Sequence, residues 1–253
     1  MQIKLTLQNE PSGLVWLPRA NLHILQAFVY QLFSERLACF LHNEGFPFEK
    51  RTFKLFTFSW LSGVEPIKII KDMVVLRSPL TLHISSPLLH ILQDAATGAL
   101  TKDSVRLGNN ELYCAGVEVI DQKVTDDAIV IRALSPITCY STLRKEDGKP
   151  YTVFYEPIEQ EFQQQIDQNL RKKHSICWPT QPISEQRVVL EPVDKPRRQI
   201  AVFSRETKMP TKGWWGTFRV HGPRELLQVG VNAGFGSKNS SGWGCVEVLK
   251  SRE

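Results

Sequence analysis

Hydrophobic and polar positions alternate along the chain in a way that divides its first half into strands and helices. Residues Gln2–Gln8 alternate as a strand, and one long helical pattern follows Pro18 and stops near Asn43 or Gly45. Its apolar members recur at spacings of three and four: Leu22, Leu25, Phe28, Val29, Leu32, Phe33, Leu37, Phe40 and Leu41.

The rest of the first half completes a six-element order. Phe53–Leu61 and Asp72–Ser78 have strand composition, a shorter helix follows Pro87 and ends near Ala99, and Val105–Ile120 is extended. The predicted order is β-α-β-β-α-β, which is the ferredoxin-like arrangement shared by RNA-recognition domains.

The second half repeats this order with more insertions. Its predicted helices are Glu156–Lys173 and Pro223–Val229. Its predicted strands are Asp127–Pro136, Tyr151–Tyr155, Gln186–Glu191, Gln199–Arg205, Trp214–Val220 and Gly244–Lys250. We therefore expect an α+β protein of two tandem ferredoxin-like domains, residues 1–122 and 123–253, joined near Asp121–Thr125.

Composition agrees with a globular protein and shows where the charge lies. The chain has 42% hydrophobic and 23% charged residues and a net charge of +5. Residues 1–122 hold 11 basic and 11 acidic residues, whereas residues 123–253 hold 20 basic and 15 acidic. The second half carries the whole excess, which permits a polyanionic partner without requiring one.

Basic and aromatic residues alternate in part of the second half. Cations neutralise phosphates and aromatic faces stack on unpaired bases, so the mixture suits RNA. A solvated strand face backed by core aromatics explains the same composition. The residues are Lys195, Arg197, Arg198, Phe203, Arg205, Lys208, Lys212, Trp214, Trp215, Phe218 and Arg219.

Neither end of the chain nor the cysteines indicate export. The N-terminus lacks the order of a signal peptide, and no run approaches the ~18 apolar residues of a membrane span. Five cysteines are scattered without a CxxC pair, which argues against a disulfide framework and a Cys-rich zinc site. We expect a cytoplasmic protein with buried free thiols and no membrane contact.

Five of the 15 glycines lie between Gly230 and Gly244, in GVNAGFGSKNSSGWG. Glycines let a backbone approach phosphate closely, so a nucleotide-binding loop is the first hypothesis. The context contradicts it, because Lys238 precedes Asn239 and the segment leads into a terminal strand. A glycine-rich turn between a helix and a strand remains an alternative.

The segment GFGSKNSSGWGCVEV resembles the signature of the CRISPR-associated repeat-processing endoribonucleases, the Cas six family. YQLF…FLHNEG, FKLFTFSWL, LSPI at Leu134–Ile137 and WGTFRVHGPRELLQVGVNAG add to the likeness, in a consistent order over nearly the whole chain. The tandem ferredoxin-like fold of that family agrees with the predicted elements.

The resemblance implies an endoribonuclease that cuts CRISPR precursor RNA within its repeats, without metal or cofactor, by attack of a 2′-hydroxyl. His42 matches the family's usual catalytic histidine, with His23 as second choice. Lys54 matches a lysine that steadies the phosphorane, and Lys50 is a near alternative. Tyr30 matches an assisting tyrosine, but 12 residues of one unbroken helix would place it about 120° around the axis from His42.

The resemblance also assigns the glycine segment to RNA binding and to packing between domains, with Lys238 meeting a phosphate. We add Arg197 and Arg198 from the charge pattern. A catalytically silent protein that only binds repeat RNA, in an effector complex with other Cas subunits, is the alternative. Monomer and homodimer both remain open. The matching loop residues are Gly234, Gly236, Ser237, Lys238, Asn239, Ser240, Gly242 and Gly244.

Overall fold

The computed structural model describes residues 1–10, 13–65, 67–204, 206 and 210–249. Arg205, Lys208 and Lys250, which belong to predicted segments, lie outside the described residues. The described residues up to Ile120 form eleven strands, three α-helices and one turn of π-helix at Phe40–Glu44. The elements are β1 (Gln2–Gln8), β2 (Leu14–Pro18), α1 (Leu22–Leu32), α2 (Glu35–Cys39), β3 (Phe46–Phe48), β4 (Arg51–Phe53), β5 (Thr57–Phe58), β6 (Ser62–Gly63), β7 (Lys68–Ile70), β8 (Met73–Arg77), β9 (Leu80–Ser85), α3 (Leu89–Thr101), β10 (Val105–Leu107) and β11 (Asn110–Ile120).

The main sheet of this half has the strand order β10-β11-β1-β9-β5, with β6 also paired to β9. The alternation of β1 explains its burial, since Ile3, Leu5 and Leu7 enter the core with residues of α1 and α3. Two small sheets, β2-β8-β7 and β3-β4, lie outside it. The order of β1, α1, β5, β9, α3 and β11 is the predicted β-α-β-β-α-β order, but its third strand is β9 and not the predicted Asp72–Ser78, which forms β8 in the small β2-β8-β7 sheet.

The second half folds around its own sheet and hydrophobic core. Its sheet has the order β15-β18-β12-β19, and α4 and α5 pack in its core. The elements are β12 (Ala128–Ala133), β13 (Tyr140–Arg144), β14 (Pro150–Phe154), α4 (Gln160–Cys177), β15 (Val189–Pro192), β16 (Arg197–Ala201), β17 (Thr211–Trp215), β18 (Thr217–His221), α5 (Arg224–Ala233), a 3₁₀ turn (Asn239–Ser241) and β19 (Val246–Leu249).

This half again has the order β-α-β-β-α-β, and the prediction of two tandem ferredoxin-like units is confirmed. The insertions form two antiparallel hairpins, β13–β14 and β16–β17.

The prediction of one long helix from Leu22 to Leu41 is wrong. Helix α1 ends at Leu32, Phe33 is extended, and Ser34 caps α2 by accepting from Leu37 N at 3.4 Å. The backbone N–H of Ser34 donates to Asp94 Oδ2 on α3 at 2.6 Å. The apolar spacing continues across this break, which is why the pattern alone did not reveal it.

Close packing of α1 on α3 fixes where α1 ends. Gly98 lies against the last residue of α1, and a Cβ built there would be 1.8 Å from Leu32 O. Any side chain at position 98 would therefore push the two helices apart. The predicted stop at Gly45 is confirmed, since its N–H donates to Phe40 O at 2.8 Å and closes the π turn.

Several other predicted bounds are corrected. Within Phe53–Leu61 only Thr57–Phe58 joins the main sheet, because Leu55 has a left-handed backbone with φ of 53°. Helix α4 is shifted four residues toward the C-terminus, and α5 continues through Gly230 to Ala233. All five cysteines are free, but Cys39 is exposed, contrary to the expectation of buried thiols.

No helix in the described part of the chain is long and apolar enough to cross a membrane. No group of three or more His, Cys, Asp and Glu side chains among the described residues is arranged to hold a metal ion.

Candidate active site

Tyr30, His42 and Lys54 lie together at one edge of the first domain. The rings of Tyr30 and His42 meet edge to face, with centroids 6.1 Å apart and planes at 82°. Lys54 Nζ donates to the backbone carbonyl of His42 at 3.0 Å. The structure therefore brings together the three residues that the sequence proposes for catalysis.

The broken helix makes this arrangement possible. Tyr30 belongs to the last turn of α1, and Phe33 and Ser34 have extended backbone before α2 and the π turn that carries His42. The 120° separation expected of an unbroken helix does not apply. Tyr30 is held by edge contacts with Phe33 and Phe56, both at 5.8 Å between centroids.

The environment determines which protons Tyr30 and Lys54 carry. Burial raises the pKa of Tyr30 to about 12, so its hydroxyl stays protonated near neutral pH and acts as a hydrogen-bond donor. Partial burial lowers the pKa of Lys54. An ammonium group that has lost part of its water shell offers a stronger field to an arriving phosphate.

His23, the second choice, lies elsewhere. Its backbone N–H and its ring Nδ1 both contact Phe203 O, at 3.1 and 2.9 Å. Seven residues of helix, about 10 Å of rise, separate it from Tyr30. His23 therefore ties the second domain to the start of α1. Lys50 is exposed in the turn between β3 and β4.

A cleft of about 780 Å³ opens between the two domains beside Lys54. Among its lining residues in the described chain, five are basic and none is acidic. We call it the basic cleft. A passage lined by one sign of charge concentrates ions of the opposite sign. The basic members are Arg51, Lys54, Lys172, Lys173 and Lys238.

The glycine segment forms one wall of the basic cleft, and four of its glycines are buried with positive φ: Gly234, Gly236, Gly242 and Gly244. A Cβ at Gly236 would lie 2.4 Å from Thr138 O, and one at Gly244 would lie 2.0 Å from Phe235 O. These glycines are required by backbone conformation and packing. Any direct RNA contact falls to the polar residues between them.

The same segment joins the two domains. Trp60 Nε1 donates to Gly242 O at 2.7 Å, Thr57 Oγ1 to Trp243 O at 3.1 Å, and Gln26 Nε2 to Ser240 O at 2.6 Å. All three donors belong to the first domain. The loop therefore holds the cleft walls in a fixed relation.

Lys173, which the sequence analysis did not single out, anchors the loop from within. It is 2% exposed, and its Nζ donates to Gly234 O at 2.6 Å and to Asn239 Oδ1 at 2.8 Å. Burial lowers its pKa to about 7, an effect that the neighbouring Cys139 and Cys177 oppose. The helical spacing of the sequence does indicate that Lys173 is buried, because it continues the apolar stripe of Phe162, Ile166 and Leu170 on α4.

The polar residues of the loop divide between two tasks. Asn239 Nδ2 donates to Phe235 O and Trp243 O, at 3.2 and 3.0 Å, so its side chain serves the loop itself. Ser237, Lys238 and Ser240 line the cleft, and Lys238 Nζ lies 5.3 Å from the centroid of the Tyr140 ring.

For part of the run of basic and aromatic residues, the structure supports the alternative of a strand face backed by core aromatics. Trp214 and Phe218 are buried, 8% and 0% exposed, and neither offers a face to a base. Arg197 and Arg198 are exposed on β16 outside the cleft lining, and the Arg197 guanidinium lies 5.8 Å from the Trp215 ring centroid. Their contact with RNA stays a prediction.

Residues 120–248 match the family model described as CRISPR associated protein Cas6, C-terminal, which is just over half of the chain. The chain belongs to the Cas6 family. The matched residues include the glycine loop, α4 and α5.

Relatives with the Cas6 name cover nearly the whole chain. The CRISPR-associated endoribonuclease Cas6 of Pyrococcus furiosus is 28% identical over 236 residues, 91% of this chain and 83% of that protein. The CRISPR-associated endoribonuclease Cas6 1 of Methanocaldococcus jannaschii is 25% identical over 260 residues, 100% of this chain and 94% of that protein.

The fold agrees with solved Cas6 structures. That of a Cas6-related gene product from Pyrococcus furiosus superposes with a TM-score of 0.83 at 18% identity, covering 100% of this chain and 99% of that one. This likeness concerns the fold alone.

Replacement of Lys173 by Met should change how stability depends on pH. With a folded pKa of about 7 and an ordinary value of 10.5, the unfolded chain binds more protons between these pH values. The burial penalty is therefore complete below about pH 7 and declines as pH rises, by up to about 1.4 kcal/mol per pH unit. Urea melts at several pH values should show wild type gaining stability relative to Lys173→Met by this slope.

The matched control is Lys172→Met, a neighbouring lysine whose side chain is 29% exposed and whose Nζ lies 3.9 Å from Glu49 Oε2. Its stability difference from wild type should stay constant over the same pH range. A constant difference for Lys173→Met would contradict a buried lysine that loses its proton near neutral pH.

Two cleft cations should contribute to polyanion binding. Removing both with Arg51→Ala and Lys172→Ala should weaken binding of single-stranded RNA and reduce the salt slope by about 1.4, at about 0.7 per lost phosphate contact. Arg197→Ala with Arg198→Ala tests the β16 pair in the same titration.

The control pair is Lys68→Ala with Lys71→Ala, two exposed lysines at the β7–β8 hairpin, away from the cleft lining. Its salt slope should equal that of wild type. An unchanged slope for the Arg51 and Lys172 pair would exclude them from phosphate contact.

Proposed function

We propose that this protein is an endoribonuclease that cuts CRISPR precursor RNA within its repeats, without a metal ion. The observation that carries the proposal is the cluster of Tyr30, His42 and Lys54 beside the basic cleft. The names of the Pyrococcus and Methanocaldococcus relatives, both endoribonucleases, support the same activity.

The reaction is an internal displacement at phosphorus. The ribose 2′-oxygen bonds to the adjacent phosphorus, and the bond from phosphorus to the 5′-oxygen of the next nucleotide breaks. The 2′-hydroxyl loses its proton to a base, and the 5′-oxygen receives one. The products carry a 2′,3′-cyclic phosphate and a 5′-hydroxyl.

The three residues have distinct roles in this scheme. His42 moves the proton, because histidine is the side chain suited to proton transfer near neutral pH. Lys54 stabilises the negative charge that collects on the phosphorane oxygens. Tyr30 remains a phenol, so it orients the histidine ring and donates a hydrogen bond, and it does not act as a base.

The basic cleft supplies the path of the RNA strand. Lys54 belongs both to its lining and to the catalytic cluster, so a strand whose phosphates follow the cleft arrives at His42. Ser237, Lys238 and Ser240 add donors along the opposite wall. The cleft thus binds the strand independently of its sequence, and the catalytic cluster gives the scissile phosphate a defined position.

Replacement of His42 by Ala should abolish cleavage of the cognate repeat RNA in EDTA, because no proton carrier would remain at the phosphorus. RNA affinity should stay within about twofold, since His42 is one exposed residue of a large interface. Single-turnover cleavage and a binding titration measure the two effects.

His90→Ala is the matched control, an exposed histidine on α3. It should cleave like wild type. Wild-type protein that binds repeat RNA and leaves it intact would favour the catalytically silent alternative. Unimpaired cleavage by His42→Ala would remove the histidine from the mechanism.

A repeat RNA with a single 2′-deoxy sugar immediately upstream of the cut should bind normally and remain intact. The missing hydroxyl is the nucleophile, and a hydrogen in its place cannot attack phosphorus. Gel analysis should show no product from this RNA. The same deoxy sugar placed several nucleotides away should leave cleavage unchanged, and any cutting at the modified position would refute attack by the 2′-oxygen.

A further inference from the structure

The imidazole of His42 has a defined partner on one nitrogen. His42 Nδ1 lies 2.9 Å from Asn43 Oδ1, and Tyr30 covers part of the ring edge to face. Side chains of consecutive residues in a regular helix do not face each other. The π turn closed by Gly45 N–H and Phe40 O is where these two neighbours meet.

The amide of Asn43 is itself oriented by a second contact. Its Nδ2 lies 3.2 Å from Cys39 Sγ, one turn earlier in the chain. With the nitrogen directed at the sulfur, the oxygen is the atom that faces the imidazole. An amide oxygen only accepts hydrogen bonds, so the proton between the two groups belongs to His42 Nδ1.

From this geometry we infer that Asn43 is a positioning residue that holds His42 as the Nδ1–H tautomer and leaves Nε2 free to exchange protons with the RNA. The inference rests on the proposed function for its catalytic consequence. Free imidazole in water favours the opposite tautomer, with the proton on Nε2. Without Asn43, the nitrogen that must accept the 2′-hydroxyl proton would mostly be occupied.

The hydrogen bond from His42 Nδ1 to Asn43 Oδ1 can persist through the whole catalytic cycle. Nδ1 keeps its hydrogen and its bond to Asn43 Oδ1 whether Nε2 is protonated or not, so the ring need not rotate between steps. Lys54 binds the backbone carbonyl of the same residue, which leaves the ring nitrogens to Asn43 and the substrate.

Replacement of Asn43 by Ala should slow single-turnover cleavage about tenfold or more, the effect typical of a partner that orients a reactive imidazole. RNA affinity should not change. Asn43→Asp retains an acceptor for Nδ1–H and should recover most of the rate. Its pH–rate profile should move to higher pH, because a carboxylate favours the charged imidazolium.

Glu44→Ala is the matched control, since Glu44 is the next exposed residue of the same π turn. It should cleave at the wild-type rate with an unchanged pH profile.

Nitrogen chemical shifts of the His42 ring test the tautomer without any cleavage. Wild type should show the Nδ1–H form, and Asn43→Ala should shift toward Nε2–H. The same tautomer in both proteins, or wild-type cleavage by Asn43→Ala, would overturn the inference. If wild type shows the expected shifts but never cuts repeat RNA, the proposed function fails while the positioning of His42 stands.

Discussion

The contact of the glycine loop with the first domain is the constraint on which the rest of the structure depends. Trp60, Thr57 and Gln26 donate hydrogen bonds to consecutive parts of the loop, from Ser240 to Trp243. Two domains with separate cores are thereby held together. Buried glycines make the contact possible, because a side chain at these positions would collide with backbone or with the Phe58 ring.

The order of elements could be predicted from sequence because it depends on local periodicity. The alternating order of strands and helices in both ferredoxin-like units follows from apolar spacing and turn residues, although the third strand of the first unit is β9 and not the predicted Asp72–Ser78. The break after Leu32 could not be predicted in this way, since Asp94 and Gly98, about sixty residues later, fix it. For the same reason, the 12-residue spacing of Tyr30 and His42 wrongly placed the two side chains about 120° apart on one helix.

Composition located the basic cleft only in part. The second half carries the net charge, yet Arg51 and Lys54 of the electrically neutral first half line the same cleft as Lys172, Lys173 and Lys238. Net charge is a sum over the whole chain, whereas only a few residues of each domain line the cleft. Trp214 and Phe218 show the converse, because aromatic residues next to cations in sequence can belong entirely to the core.

Lys173 differs from the other basic residues of the cleft because its amine is buried. Its nearest partners are neutral oxygens, and its pKa of about 7 leaves it close to half protonated at neutral pH. A phosphate beside Lys173 would favour its ammonium form, because an opposite charge stabilises the protonated amine. Counterions do not reach a buried nitrogen, so salt would screen this attraction less than that of the surface cations. The charge on this wall of the cleft therefore depends on what surrounds the lysine as well as on the lysine itself.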